Sequence, residues 1–218
     1  MSELDLGLVL EITGRTLVIS FSALAISVVL GVPLGIWVGS RQFTGRGVLV
    51  GAINSGMGAP PVVVGLAVAL LLWRTGPLGS FELMYSPEAI VLAQVVIALP
   101  LVVGITLAAV GALDAEWSLQ VRTLGVPFRW RIWLLLREIR LGLLAAVIAA
   151  LGAILSEVGA VMMVGGNLEG ETRVLTTSIF MYTRMGQFET AIGLGVVLVG
   201  LMLLLAGLLT AVQQGGRR

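Results

Sequence analysis

The chain contains no cysteine, no histidine and no lysine among its 218 residues. Without thiolate or imidazole side chains, the usual metal sites and the catalytic groups built on those residues are excluded. Without lysine, the phosphate-binding pattern GxxxxGK(S/T) cannot occur. We therefore predict no catalytic residue, no metal site and no cofactor bound by this chain, so that any ATP-driven work would need a partner subunit.

Charged residues are also scarce, at 11% of the chain against 58% hydrophobic residues. The mean hydropathy of +1.07 leaves too few polar side chains to cover a water-facing globule. The basic residues are all arginine, and the net charge of +1 gives no indication of nucleic-acid binding. The composition predicts an integral membrane protein whose solvent is lipid.

Five apolar runs are each long enough to cross a membrane as a helix. The alternating pattern of a transmembrane β-barrel is absent, so we predict an all-α fold in a single membrane domain covering residues 1–218. The predicted spans are about 14–39, 48–73, 87–112, 141–164 and 190–212.

The arginines predict the orientation, because loops on the cytoplasmic side of membrane proteins are enriched in basic residues. With the amino terminus outside, nine of the thirteen arginines fall in cytoplasmic segments: Arg41, Arg46, Arg122, Arg129, Arg131, Arg137, Arg140, Arg217 and Arg218. We therefore predict a multi-pass protein with its amino terminus outside and its carboxyl terminus in the cytoplasm.

The second apolar run is interrupted near its middle. Asn54, Gly56, Gly58, Pro60 and Pro61 occur together there, and each proline removes a backbone donor and frees a carbonyl one turn earlier. Broken backbone at membrane depth is tolerated only against protein or a water-filled path. We predict a break that lines a pathway, with a kinked structural helix as the alternative.

Small residues recur every four positions on three of the runs, which allows helices to approach closely. We interpret them as packing surfaces and not as sites. They are Gly31, Gly35 and Gly39, then Gly51, Ser55 and Ala59, and finally Gly152, Ser156 and Ala160.

Residues 113–140 form the one long loop on the predicted cytoplasmic side. The pattern predicts a short helix over 114–123, a stop at 124–127 where Gly and Pro occur, and a second helix that begins near Phe128. Apolar residues rimmed by charge indicate docking to another protein. They are Leu124, Val126, Phe128, Trp130 and Trp133. The alternative is a segment at the lipid headgroups, anchored by Trp117, Trp130 and Trp133.

This loop resembles the hallmark of the permease subunits of binding-protein-dependent ABC importers. In that family an Ala-rich start and a Gly precede an Ile-x-Leu-Pro stretch and the next spanning helix. Residues 121–125, 134–140 and 142–146 occupy the corresponding places here. Residues 59–66 and 93–100 also look like the second and third core helices of molybdate and tungstate importer permeases.

The most specific match is the segment 156–167, which begins Ser-Glu-Val-Gly and contains a pair of methionines, followed by 172–177. Molybdate permeases usually show a Gly-Glu-Phe-Gly version with one Met. With Arg137 and Glu138 in place of Leu-Pro, this form looks more like the tungstate-specific branch. The resemblance extends over nearly the whole chain.

The resemblance implies a type I ABC importer permease fold, functional as a homodimer in a prokaryotic plasma (inner) membrane. A cytoplasmic ABC ATPase dimer carrying ATP and Mg²⁺ would lie beneath it, and an extracytoplasmic binding protein would deliver the oxyanion. Gly125 would permit a sharp bend in the loop, while Val126 and Phe128 would fill a groove of the ATPase. The implied coupling residues are Leu124, Gly125, Val126, Pro127, Phe128 and Arg129.

A tetrahedral dianion is costly to place in hydrocarbon, so the path should be wet and lined with donors instead of fixed cations. The candidate path or gate residues are Asn54, Ser55, Pro60, Pro61, Ser156, Glu157, Gly159, Asn167, Thr172 and Arg173. The turn at 165–167, with Thr172 and Arg173, would form the outer mouth, where a cation could help receive the anion. The alternative is an ordinary turn between helices.

Glu157 is the one carboxylate deep in a predicted span. Its charge would repel an oxyanion, so we expect a structural role instead of substrate binding. It would accept hydrogen bonds from broken backbone or pair with Arg173 or Arg184. A proton relay is the alternative.

Three other functions are compatible with parts of the sequence. Within the importer class, the substrate could be molybdate, vanadate or sulfate instead of tungstate. A secondary transporter would need inverted repeats and a chain of intramembrane ionisable residues, which are not evident. A membrane scaffold or assembly protein would explain the hydrophobicity and the loop, but not the broken second run.

Overall fold

The computed structural model describes residues 6–113, 121 and 123–215, and every regular element within those ranges is helical. A short 3-10 turn covers Gly79–Phe81. The helices are α1 Leu6–Ser40, α2 Arg46–Met57, α3 Pro61–Leu72, α4 Pro87–Gly111, α5 Phe128–Glu138, α6 Arg140–Ser156, α7 Gly159–Gly165, α8 Leu175–Arg184 and α9 Phe188–Gly215.

Three of these helices are long and apolar enough to cross a membrane by themselves: α1, α4 and α9. The pairs α2–α3 and α5–α6 also qualify, but they are bent by 104° and 63° respectively. Counting each bent pair as one span gives five spans. The all-α membrane class predicted from composition is confirmed.

The interruption predicted in the second apolar run is present. α2 ends at Met57, and α3 begins at Pro61 after an extended residue, Pro60. Pro61 occupies the first position of α3, where a missing backbone donor costs nothing because no helical acceptor precedes it. The two prolines therefore start a new helix in a new direction instead of kinking one helix.

The fourth apolar run, 141–164, also contains a break, which the sequence pattern did not predict. α6 ends at Ser156 and α7 begins at Gly159, with Glu157 in an extended conformation between them. Since no proline lies near this point, an apolar run of this kind predicts a continuous helix. Hydrogen bonds from side chains of other helices stabilise the break.

α4 lies at the centre of the fold and packs against α1, α2, α3, α6 and α7. α1 approaches α4 closely because the residues of α1 that face α4 are small. A Cβ atom added to Gly31, Gly35 or Gly39 would lie within 3.0 Å of atoms of α4. The first predicted ridge is therefore a packing surface. Gly51 and Gly152 of the other two ridges have nothing within 4 Å, so the ridges do not pack within this chain at those two positions, whereas Ala160 of the third ridge is buried.

The short helix predicted over 114–123 lies outside the described residues except for positions 121 and 123. The second loop helix predicted near Phe128 is confirmed as α5. α9 contacts α8 and α6, and much of its surface is exposed.

Gly35→Ala should destabilise the protein. Its Cβ would meet Thr106 Cβ at 2.7 Å and the Val103 carbonyl oxygen at 2.8 Å, and overpacking of this kind typically costs about 1–3 kcal/mol. Gly14→Ala is the matched control, because Gly14 lies on the same helix with nothing within 4 Å. Thermal denaturation in detergent should show a lower Tm for Gly35→Ala alone. Equal Tm values for the two variants would contradict the close α1–α4 contact.

Candidate translocation site

The two helix breaks lead into two half-helices, α3 and α7, that pack directly on each other. A Cβ added to Gly65 of α3 would lie 2.5 Å from Ala160 Cα, and one added to Gly159 would lie 2.8 Å from Val62 Cγ2. Pro61 and Gly159, both predicted path residues, therefore begin neighbouring half-helices. The two interruptions form one irregular region in the membrane domain.

The break at Glu157 is stabilised by hydrogen bonds from three elements. Glu157 is 8% exposed, and its Oε1 accepts a hydrogen bond from the Ala160 backbone N–H at 2.7 Å. Thr176 Oγ1 of α8 donates to the Glu157 carbonyl at 2.9 Å. Gln94 Nε2 of α4 donates to the Ile154 carbonyl at 3.5 Å, near the outer limit for such a bond. Backbone groups freed by the break thus obtain partners, as buried polar groups require.

The expectation that Glu157 accepts hydrogen bonds from broken backbone is therefore confirmed, whereas its alternative partners are not observed. Arg173 forms its ion pair with Glu169 at 3.2 Å. Arg184 places its guanidinium over the Phe180 ring, 5.7 Å from the centroid. Within the described residues, the ion pairs do not include Glu157.

The residues predicted to form an outer mouth belong to a hydrogen-bonded loop that joins α7 to α8. Thr172 is fully buried, and its hydroxyl donates to the Gly165 carbonyl at 2.5 Å and accepts from the Leu168 N–H at 2.8 Å. Gly166 and Asn167 both adopt left-handed conformations, with φ of 68° and 55°. These contacts turn the chain sharply after α7.

Side chains of α1 form hydrogen bonds with the backbone of this loop. Arg15 donates to the carbonyls of Gly170 at 2.7 Å and Arg173 at 3.2 Å, and it pairs with Glu11 at 2.6 Å. Thr16 Oγ1 accepts from the Leu175 N–H at 3.0 Å, at the start of α8. The loop is thus fixed to α1 through backbone groups.

The predicted cation of the mouth is only slightly open to solvent. The Arg173 side chain is 12% exposed and is already paired with Glu169. Asn167 lies half-buried, with its Nδ2 3.3 Å from Met181 Sδ. Both residues therefore contact the protein itself in this conformation.

The predicted donors of α2 lie apart from the Glu157 network. Asn54 and Ser55 are exposed in the last turn and a half of α2. Ser156 is exposed at the end of α6, but its hydroxyl already donates to the Gly152 carbonyl at 2.8 Å. Of these three residues, Asn54 and Ser55 have exposed side chains whose polar groups are accessible to a ligand.

The residues predicted to couple to an ATPase form an exposed turn before α5. Gly125 has φ of +64°, a conformation that favours glycine, which confirms the predicted bend. Pro127 is the N-cap residue of α5. Leu124 and Phe128 are 78% and 68% exposed, and Arg129 is exposed as well. Val126 is half-buried, less open than its expected role suggests.

Four residues of this region were not predicted as site residues: Arg15, Thr16, Gln94 and Thr176. The available signal was their polarity within or beside apolar runs. Each donates to or accepts from backbone far away in the sequence, so only the folded arrangement identifies their partners.

The chain matches the family described as binding-protein-dependent transport system inner membrane component over residues 31–217. It is 41% identical to a probable anion ABC transporter permease protein of Haloferax volcanii, covering 93% of this chain and 90% of that protein. It is 38% identical to a tungstate uptake system permease protein of Peptoclostridium acidaminophilum, covering 90% and 86% of the two chains. A tungstate uptake system permease protein of Campylobacter jejuni is 32% identical over 67% of this chain and 62% of that protein.

The chain therefore belongs to the family of binding-protein-dependent transport system inner membrane components, the permease subunits of ABC importers. Its relatives are transport permeases and not enzymes. It is a multi-pass membrane protein of the tungstate, molybdate and sulfate permease group.

Proposed function

We propose that this chain is the membrane-spanning subunit of an ATP-driven importer that carries tungstate into the cytoplasm. The observation that carries the proposal is the 38% identity to a tungstate uptake permease over 90% of this chain. The aligned part of the chain extends across both helix breaks, because it covers 90% of the chain and both breaks lie far from its ends. Family membership favours a permease over a membrane scaffold.

The substrate path is assigned to the irregular region and to the exposed donors of α2. An amide in hydrocarbon without a hydrogen-bond partner costs several kcal/mol, so Asn54 should face water or protein in the working assembly. Ser55 is exposed on the same helix. We assign both to a wet path between two copies of the chain, so the homodimer is part of the same proposal.

The proposed partners are a separate ATPase, because the chain has no lysine to bind phosphate, and a binding protein, because the family is binding-protein-dependent. With no lysine, it has no phosphate-binding lysine of its own, so ATP and Mg²⁺ would bind to a separate ATPase dimer. The turn at 124–129 would seat in that ATPase, and an extracytoplasmic binding protein would deliver the oxyanion. The arginine distribution supports an outside amino terminus and a cytoplasmic carboxyl terminus.

The test is uptake by vesicles that contain the chain, its ATPase and its binding protein, with and without ATP. Tungstate entry that depends on ATP and is barely reduced by excess molybdate or sulfate is the expected result. Equal competition by all three would retain an oxyanion importer but remove the tungstate assignment. Absence of any ATP-dependent entry would contradict the proposal.

Asn54→Leu tests the path itself. Removing the amide should lower tungstate entry about tenfold, since one lost interaction of about 1.4 kcal/mol at the rate-limiting point has that effect. Ser22→Leu is the matched control, because Ser22 is an exposed polar residue of α1 outside the proposed path. Equal loss in both variants would argue that insertion, and not the path, was damaged.

A further inference from the structure

α5 is a short helix with an unusually open surface for a helix attached to a membrane span. The structure describes all eleven residues of α5, and none of them is buried. Trp130 and Trp133 are 60% and 48% exposed, and they lie on one face of the helix with Arg137, because these positions are three and four residues apart. An exposed apolar surface of this size needs a partner, either protein or lipid.

The position of α5 relative to the membrane narrows the choice. α5 is bent by 63° from α6 and is separated from it by Ile139 alone. Eleven residues make a helix about 16 Å long. At an angle of 63°, the projection of that length onto the α6 axis is only about 7 Å. The headgroup layer on each side of a bilayer is about 5–8 Å thick. If α6 crosses the bilayer near its normal, α5 remains inside that layer along its whole length.

The chemistry of the exposed face fits the same layer. Trp130 and Trp133 contact each other edge to face at 5.8 Å, and Arg137 lies over the Trp133 ring at 5.3 Å. Indole rings favour the membrane interface, where one edge is apolar and the other is wet. Arg137 is exposed on the same face and can meet lipid phosphates. Glu138 is the single acidic residue of α5.

We propose that α5 is an interfacial helix whose Trp130, Trp133 and Arg137 face binds the headgroups of anionic phospholipids. The neighbouring turn at 124–129 stays assigned to the ATPase. The loop therefore carries one surface for the ATPase and a separate surface for lipid. The two tryptophan rings set the depth of the helix in the membrane, and Arg137 favours phosphate-bearing lipids of net negative charge. The angle of α5 to α6 is then held by the membrane itself.

Lipid affinity gives the first test, using the full-length protein in detergent titrated with phosphatidylglycerol or phosphatidylcholine and followed by native mass spectrometry. Arg137→Gln should weaken phosphatidylglycerol binding about fivefold, the amount that one arginine near the surface contributes. Arg184→Gln is the matched control, because Arg184 also covers an aromatic ring but lies on α8. An equal effect of both variants, or no effect of either, would overturn the proposal.

Depth gives an independent test that does not depend on a charge change. The chain has no cysteine, so Trp130→Cys creates one unique position on the proposed lipid-binding face of α5 for a nitroxide label. In vesicles of phosphatidylcholine and phosphatidylglycerol, the label should collide with dissolved oxygen more than with a water-soluble nickel complex. Free access of nickel that ends only when the ATPase is added would overturn the proposal and assign this face to the ATPase.

Discussion

Gly125→Arg is expected to abolish ATP-dependent uptake while the chain remains inserted in the membrane. Gly125 adopts φ of +64°, and a residue with a side chain pays about 1–2 kcal/mol in that conformation. The added guanidinium would also project from an exposed turn that we assign to a groove of the ATPase. Co-purification with the ATPase, followed by uptake in vesicles, measures both consequences.

Gly45→Arg is the control for this prediction. Gly45 has φ of +90° and, like Gly125, nothing within 4 Å of its added Cβ, so the backbone strain of the substitution is at least as large as at Gly125. It begins α2, on the same predicted side of the membrane as Gly125. If both variants lose the ATPase, strain or insertion explains the result, and if Gly125→Arg retains ATPase and uptake, the coupling assignment is wrong.

Glu157→Ala is expected to lower the free energy of unfolding by about 1–3 kcal/mol, because it leaves the buried Ala160 N–H without its acceptor. Glu157→Gln should behave much more like the wild type, since its amide oxygen can still accept that hydrogen bond. The order of Tm values in detergent should therefore be wild type, then Gln, then Ala. Uptake should follow the same order if Glu157 acts by holding the break.

The two Glu157 variants also separate the structural role from a proton relay. A relay needs a group that can bind and release a proton, so both variants would abolish uptake equally. Normal stability combined with lost uptake in Glu157→Gln would favour the relay. Normal uptake in Glu157→Gln would support the role of Glu157 as a hydrogen-bond acceptor.

The break after α2 could be predicted because its cause lies in the local sequence. Pro60 and Pro61 remove backbone donors wherever they occur in a helix, so the interruption follows from covalent structure. The close approach of α1 was predicted for a similar reason, since the glycines themselves make room for α4. Composition was sufficient for the membrane class.

The break after α6 could not be predicted because its cause lies elsewhere in the chain. Residues 154–158 contain no proline, and the extended conformation of Glu157 depends on Thr176 and Gln94, which lie on α8 and α4. The site residues divide in the same way. Gly125 was assigned its bend from residue type alone, whereas the pairing of Arg173 with Glu169 could not be distinguished from a pairing with Glu157 before the fold was known.

The contact between α3 and α7 has a mechanical consequence. Gly65 meets the backbone of Ala160, and Gly159 meets Val62, with no space for a side chain between the two half-helices. Sliding one along the other would drive Val62 or the Ala160 methyl into backbone atoms, so the pair should move as one rigid body. Rotation of that body would have to bend the chain at 58–60 and at 157–158, and at the second segment the hydrogen bond from Thr176 to the Glu157 carbonyl would resist it.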